Sequence, residues 1–483
     1  MTRSDQAGPA VAISTVEQRV QARSAVFKKE LGLRDLVFAQ ILLVVGTGWV
    51  GTAAKLGASN IIFWLLGITL FYAPLAAVVI HLNRLMPLEG GLYQWAKSAF
   101  NEFTGFIVAW NTWLFIIVFM SVLGLSVSAG LAYAIGPSGG WMAESKWFIT
   151  AVSFAVIAAL ALLSTLGFGV GKWVHNAGSI ILLVTFATLI ALPILSPGRD
   201  TIAELKVEMP ELSLLNLTIF TKMAVYALAG FECMAIFAGE CHNARRTISR
   251  SVMIAAPIIA LMYILGTAAV LAFVRPDDVD LVNPIAQAFS IGFRPFGVAA
   301  YIAPVAILLL IARDIAQSSN VFAANTRLPM VAAWDKLLPE WFTRLHSKYK
   351  TPVNSIIFAA TVTLTIGLAG LTGVGQQEAF QLLQSAAGVF FATTYLIMFS
   401  IPIIGLRNSD ARLPLWLKIA SASGFLVTLL FVALSIFPIV EVESRFIFAA
   451  KIALLIIAAN AIGASIFVVA RRKRSAHQAT AHT

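Results

Sequence analysis

The chain is short of charge and of cysteine. Only 12% of its 483 residues are Asp, Glu, Lys or Arg, about half the usual share of a globular protein. That is too little to coat the roughly three soluble domains such a length would otherwise suggest. The two cysteines, Cys233 and Cys241, fall in or beside one apolar segment, which excludes a disulfide framework and a Cys-rich metal site and leaves two packing thiols. A phosphate-cradling glycine loop ending in Lys-Ser or Lys-Thr is missing, and the histidines do not fall in a His-Glu-x-x-His spacing, so nucleotide hydrolysis, metal chemistry and a cofactor are not expected. The first 30 residues lack the short apolar stretch and cleavage site of a removable signal peptide, so the first apolar run is expected to direct insertion itself.

What the chain has instead is apolar length. Fifty-nine per cent of residues are hydrophobic, mean hydropathy is +0.86, and runs of about 20 apolar residues recur, the length that crosses a hydrocarbon core. An all-α integral membrane protein follows. Twelve candidate spans start near Leu36, Ile61, Gly105, Trp147, Trp173, Leu217, Ser251, Gly297, Val353, Ala379, Leu415 and Phe446. With the N-terminus inside, Lys and Arg divide 24 to 6 between the two sides, and four more (Lys55, Lys222, Arg313, Lys451) lie within spans. This asymmetry fits the positive-inside rule and accounts for the net charge of +11 without a nucleic-acid partner. It predicts a plasma (inner) membrane protein with both termini cytoplasmic. The longest inner connection, Arg327 to Thr351, reads as a short surface helix plus loop, so the work is expected inside the membrane.

Two spans carry interruptions. The first contains Gly46-Thr47-Gly48, with Gly51 following; glycine disfavours a helix interior by about 1 kcal/mol relative to Ala. Unwinding would free amides and carbonyls that hydrocarbon cannot satisfy, so they must face protein, water or a polar ligand. Close packing of helices through small residues is the other reading. The sixth span has Gly230 followed by Phe231 and Glu232, and an ionisable group at that depth marks function by default. Breaks in the first and sixth spans open two successive sets of five, the pattern of an inverted repeat around a central site.

These residues resemble a known family. Gly46-Thr47-Gly48, Gly230-Phe231-Glu232, the stretch Pro87-Leu88-Glu89-Gly90-Gly91-Leu92-Tyr93, and Thr326-Arg327-Leu328-Pro329 onward to Leu338-Pro339 and Thr351-Pro352 look like the amino acid, polyamine and organocation (APC) superfamily of permeases. The resemblance covers about Leu33 to Gly405. It implies a 5+5 inverted-repeat core with two peripheral helices, and secondary transport of amino acids or amines. The implied organisation is a cytoplasmic segment at 1–32, a transport core at 33–405, peripheral spans at 406–470 and a basic tail at 471–483. Two departures stand out: Asn243-Ala244 and Ser249-Arg250 where the family often has Asn-Pro and Pro-Arg, and no Lys between Trp173 and Leu195, where some proton-coupled members carry one.

The expected partners are an amino acid or amine, membrane lipid, and a proton or sodium ion for coupling. The amides of Thr47 and Gly48, at the positive end of the second half-helix, together with the Thr47 hydroxyl form an expected carboxylate clamp, with Gly46 opening the break. The freed carbonyl of Val44 is an acceptor for the substrate ammonium, as by the resemblance are those of Tyr226 and Ala229 beside Gly230. The resemblance also makes Tyr226 an aromatic gate. Glu232 is either a carboxylate held by backbone amides or a protonatable coupling group. In the eighth span Arg313, Gln317 and Asn320 stand at i, i+4 and i+7, with Asp314 and Ser318 on the adjoining strip. Arg313 and Asp314 are either a neutral pair or a group that reads the substrate or replaces the missing cation.

Overall fold

A computed structural model describes residues 15–196, 208–281, 283–370, 376–404, 413–437 and 444–480. Arg199, Lys206, Gly405, Arg407 and Arg412, together with the chain ends, lie outside the described residues. The described chain is helical throughout, without a strand. Among the described residues ten helices are long and apolar enough to cross a membrane, a bent pair of helices makes eleven if it is one span, and the shorter apolar helix Val353–Ala369 occupies the place expected of the ninth run.

The bent pair is α1 (Leu33–Val44) and α2 (Gly48–Ala54), which meet at 48°. α1 begins where the Gly32 amide donates to the Asp35 side chain at 3.0 Å and stops because Val45 leaves helical geometry, at φ −78° and ψ 97°. The next interruption follows the same logic. Downstream of α3 (Glu102–Ser121) and α4 (Phe168–Leu195), the helix α5 (Leu214–Lys222) loosens into a π turn over Met223–Ala227, breaks, and resumes as a 3₁₀ helix over Phe231–Glu240. Gly230, at φ 129°, supplies a conformation that side-chain-bearing residues avoid.

α6 (Ala244–Leu271) and α4 both pack against α1, and α7 (Ala299–Trp334) lies along α4 and α3. α8 (Gln376–Ile404) fits between α3 and the helix Leu415–Leu434. α9 (Arg445–Thr480) is the least covered, with 17% of its apolar window buried against 67% for Leu382–Ile404. Trp110 and Asn111 turn out to dock this last helix, donating to the Ala459 carbonyl at 2.9 Å and the Asn460 side chain at 2.7 Å.

The connection from Arg327 to Thr351 differs from its sequence reading. α7 continues through Arg327 and past Pro329 to Trp334, and only one 3₁₀ turn, Glu340–Thr343, follows before the next helix. Arg327 is 2% exposed, not a surface charge. Its guanidinium pairs with Glu240 at 2.8 Å and lies over the rings of Phe168 and Phe237, contacts that keep this stretch folded against the bundle despite the proline.

Candidate functional site

A helix leaves its last carbonyls without partners, so the broken end of α1 must find donors elsewhere. It finds them on two other helices. The Ile41 carbonyl takes the Val45 amide at 3.0 Å, and the Leu43 carbonyl takes Gln317 Nε2 at 2.7 Å. Leu42 and Val45 both accept from Arg313 Nη2, the former at 3.3 Å, and one turn earlier Asn320 donates to Ala39 at 3.2 Å. The Tyr263 hydroxyl on α6 lies 2.7 Å from the Val44 oxygen. A guanidinium at this end also meets the negative pole of the helix dipole. Gly46, Thr47, Gly48 and Trp49 remain half-buried at the mouth of α2.

Tyr263 joins this break to the other. Its hydroxyl accepts from the Gly46 amide at 2.9 Å and lies 2.9 Å from the Ala227 carbonyl as well as beside that of Val44. A Cβ on Gly230 would stand 3.2 Å from the side chains of Leu43 and Val44, so the two interruptions are packed directly together. Over them lies an aromatic group: Trp49 and Tyr226 at 5.3 Å, Phe115 edge-on to Tyr226, and Phe115 stacked on Phe391 at 4.0 Å. The Tyr226 hydroxyl donates to Gln384 on α8 at 2.8 Å. Glu232 stands apart from this group. It is fully buried behind Gly230, accepts from the Tyr395 hydroxyl at 2.8 Å on Oε1, and has no partner on Oε2 among the described residues.

Arg313 and Asp314 are neighbours with different surroundings. Nη1 of Arg313 donates to Asp314 Oδ1 at 2.5 Å, yet the arginine side chain is 1% exposed and the aspartate 38%. Tyr301, Val305, Leu308, Leu309 and Ala312 are exposed along one stripe of α7, its lipid-facing side. Asp314 lies two positions past Ala312, about 200° round the helix at 100° per residue. Its position on the helix therefore faces the bundle, where 38% of the side chain is left uncovered by protein.

A second polar group closes one end of the bundle. The Pro87 to Tyr93 stretch turns against the 3₁₀ helix Phe231–Glu240, and Gly91 sits so close that a Cβ would lie 2.6 Å from Ala235; there glycine is required. Glu89 is buried and accepts the Gly239 amide at 2.6 Å. Burial, then the neighbouring Glu240 carboxylate, pushes its pKa up to about 8, against the pull of the Gly239 amide and of Arg327. The N-terminal segment covers this group, the amides of Glu30 and Leu31 donating to the Glu240 carbonyl at 3.0 and 3.1 Å. Beside it Tyr93 and Lys97 both bond Asp335.

The sequence-predicted residues thus divide. Val44, Gly46, Thr47, Gly48, Tyr226, Ala229, Gly230, Arg313, Asp314 and Gln317 gather at the two breaks, while Glu232 lies behind them. The Val44 carbonyl, expected to be free, is engaged by Tyr263. Tyr263, Gln384 and Tyr395 escaped sequence reasoning because an aromatic or amide in mid-helix carries no positional signal of its own.

Residues 31–459 match the model of a family described as amino acid permease. Among curated relatives, an uncharacterized transporter of Legionella pneumophila is 25% identical over 80% of this chain and 83% of its own length. A protein of Lactococcus lactis named "Probable agmatine/putrescine antiporter" is 23% identical over 83% and 84%. An aspartate/glutamate permease of the same species is 22% identical over 77% and 78%.

Proposed function

This chain belongs to the amino acid permease family, and from its two joined helix breaks we propose that it is a secondary transporter, carrying amino acids or amines across a membrane by alternating access. The observation that supports this most is the meeting of both breaks at Tyr263, since unwound backbone inside a membrane protein is tolerated only where it is buried in protein or lines a water-filled cavity, and transporters place paired breaks of this kind at the substrate site. The amides of Thr47 and Gly48 and the Thr47 hydroxyl hold the substrate carboxylate at the positive end of α2. The carbonyls of Tyr226 and Ala229 receive the ammonium, because that of Val44 is occupied. Tyr226, steadied by Gln384, closes over the substrate, and Glu232 serves as the proton-exchanging group behind Gly230.

In this reading residues 33–405 form ten spans as a 5+5 inverted repeat, and 406–470 add two peripheral spans, making twelve. Residues 1–32 and 471–483 are cytoplasmic and the membrane is the plasma (inner) membrane, as the distribution of Lys and Arg favours. The coupling ion is a proton. Hard cations need oxygen ligands, and at the end of α1 the carbonyls of Leu42, Leu43, Val44 and Val45 are taken by Arg313, Gln317 and Tyr263.

The test is uptake by proteoliposomes across a panel of amino acids and amines, with and without internal substrate and an inward proton gradient. Saturable uptake stimulated by either, and unchanged when choline replaces sodium, is expected. Gly48→Leu should fold and lose transport: a Cβ there already stands 3.4 Å from the Leu281 carbonyl, so the rest of the side chain must turn across the α2 amides. Normal uptake by folded Gly48→Leu would remove the carboxylate from α2, and a panel without any uptake would overturn the transport reading.

A further inference from the structure

We propose that Asp314 is the specificity-determining residue of this site and that it receives a positively charged group, so that the preferred substrates are basic amino acids or diamines. The proposal rests on the transporter reading above and adds the substrate class to it. The family relatives do not decide the matter, since their names include both a diamine antiporter and an acidic amino acid permease.

Three observations carry it. First, the acceptors that would otherwise draw a cation to the end of α1 are already used by the protein's own donors, including a guanidinium on Leu42 and Val45. Second, the remaining carboxylate near the breaks, Glu232, is fully buried and turned to Tyr395. Third, Asp314 alone of these carboxylates is open, at 38%, on the side of α7 opposite its lipid-facing stripe.

The pair with Arg313 does not cancel the site. Arg313 is divided: Nη1 holds Asp314 Oδ1, while Nη2 is committed to two backbone oxygens. Its charge is therefore shared with the negative end of α1. Among the described residues the hydrogen bond to the carboxylate falls on Oδ1, which leaves the other oxygen open to a substrate donor. An ammonium or guanidinium completes that shell with a charge-assisted bond. A carboxylate side chain would bring like charge against it in a medium that screens poorly.

The experiment measures initial uptake of arginine, lysine, putrescine, leucine and glutamate by wild-type proteoliposomes, then by Asp314→Asn and Asp314→Glu. Wild type is expected to favour the cationic group over glutamate by at least about 10-fold, the worth of one hydrogen bond to a charged group. Asp314→Asn should lower the ratio of cationic to neutral uptake about 10-fold or more, and Asp314→Glu should restore most of it. Wild type that carries leucine or glutamate without inhibition by arginine, lysine or putrescine overturns this proposal and leaves the transport reading standing; a panel without uptake removes the transport reading itself. An unchanged ratio in Asp314→Asn also overturns it. Should that variant fail to fold, the wild-type thermal shift decides: stabilisation by cationic ligands and not by glutamate supports the proposal, and the reverse order refutes it.

Discussion

Two arginines stand on one face-to-face pair of environments along α7, fourteen positions apart, or about 21 Å of helix. Arg327 is sealed: one carboxylate, Glu240, two aromatic rings and the backbone of its own helix surround it. Arg313 is held mainly by the carbonyls of another helix, and its acidic neighbour is 38% exposed. Arg327 lines a cavity of about 10 Å³, room for one water at most. At Arg313, backbone dipoles have taken over much of the work that a counter-ion performs elsewhere, and the carboxylate beside it keeps one oxygen free of protein donors among the described residues.

The sharpest way to break this contrast is to remove each arginine in turn. Arg327→Gln leaves Glu240 buried beside Glu89 without a counter-charge, and a loss of about 3–5 kcal/mol is expected. Adding Glu240→Gln should return most of that stability, read as Tm in detergent. If Arg327→Gln melts with the wild type, the sealed end is not sealed by charge. Arg313→Gln should cost less, about 1–3 kcal/mol, because water from the open side can reach the freed carbonyls. Here the second substitution should fail to rescue: Arg313→Gln with Asp314→Asn leaves Leu42 and Val45 as short of donors as before. Full recovery in that double variant would make the two arginines equivalent.

The smallest effect concerns Glu89, which lets the sealed end respond to pH. Its pKa lies above the ordinary carboxylate value, so the folded state keeps a proton that the unfolded chain gives up. That stability is complete below about pH 4.5 and is lost as pH climbs to about 8. Glu89→Gln should match the wild type in acid and exceed it by a few °C in Tm, as an order of magnitude, near pH 8. A Tm difference that does not vary between pH 5 and 8 would place the proton elsewhere.

Much of the architecture was legible because apolar length and glycine placement are local signals. Gly46, Gly48 and Gly230 marked both interruptions, and Arg313 and Asp314 announced themselves as charges where lipid forbids them. Which group each would meet was not legible. Arg313 reaches α1 across about 270 positions of sequence, and no local pattern encodes such a pairing. Arg327 was misread for a definite reason: a basic residue with a proline two positions on is a helix-end signal, whereas Glu240 and the rings of Phe168 and Phe237, all distant in sequence, keep it inside. Tyr263 carried no signal in the sequence, and its ring packs as any buried aromatic does, stacked on Trp64 at 4.6 Å. The distinction lies in its hydroxyl.

That hydroxyl owns one hydrogen, while two carbonyl oxygens, of Val44 and Ala227, lie within its reach at 2.7 and 2.9 Å. At any instant one is served and the other waits. A side-chain rotor exchanges such positions in roughly picoseconds to nanoseconds, whereas helices shift over roughly microseconds to milliseconds. A slow movement of either half-helix therefore never meets a single bond that must first be cut; it meets an average over two, and can lean on one while releasing the other. The tyrosine is a bearing more than a bolt.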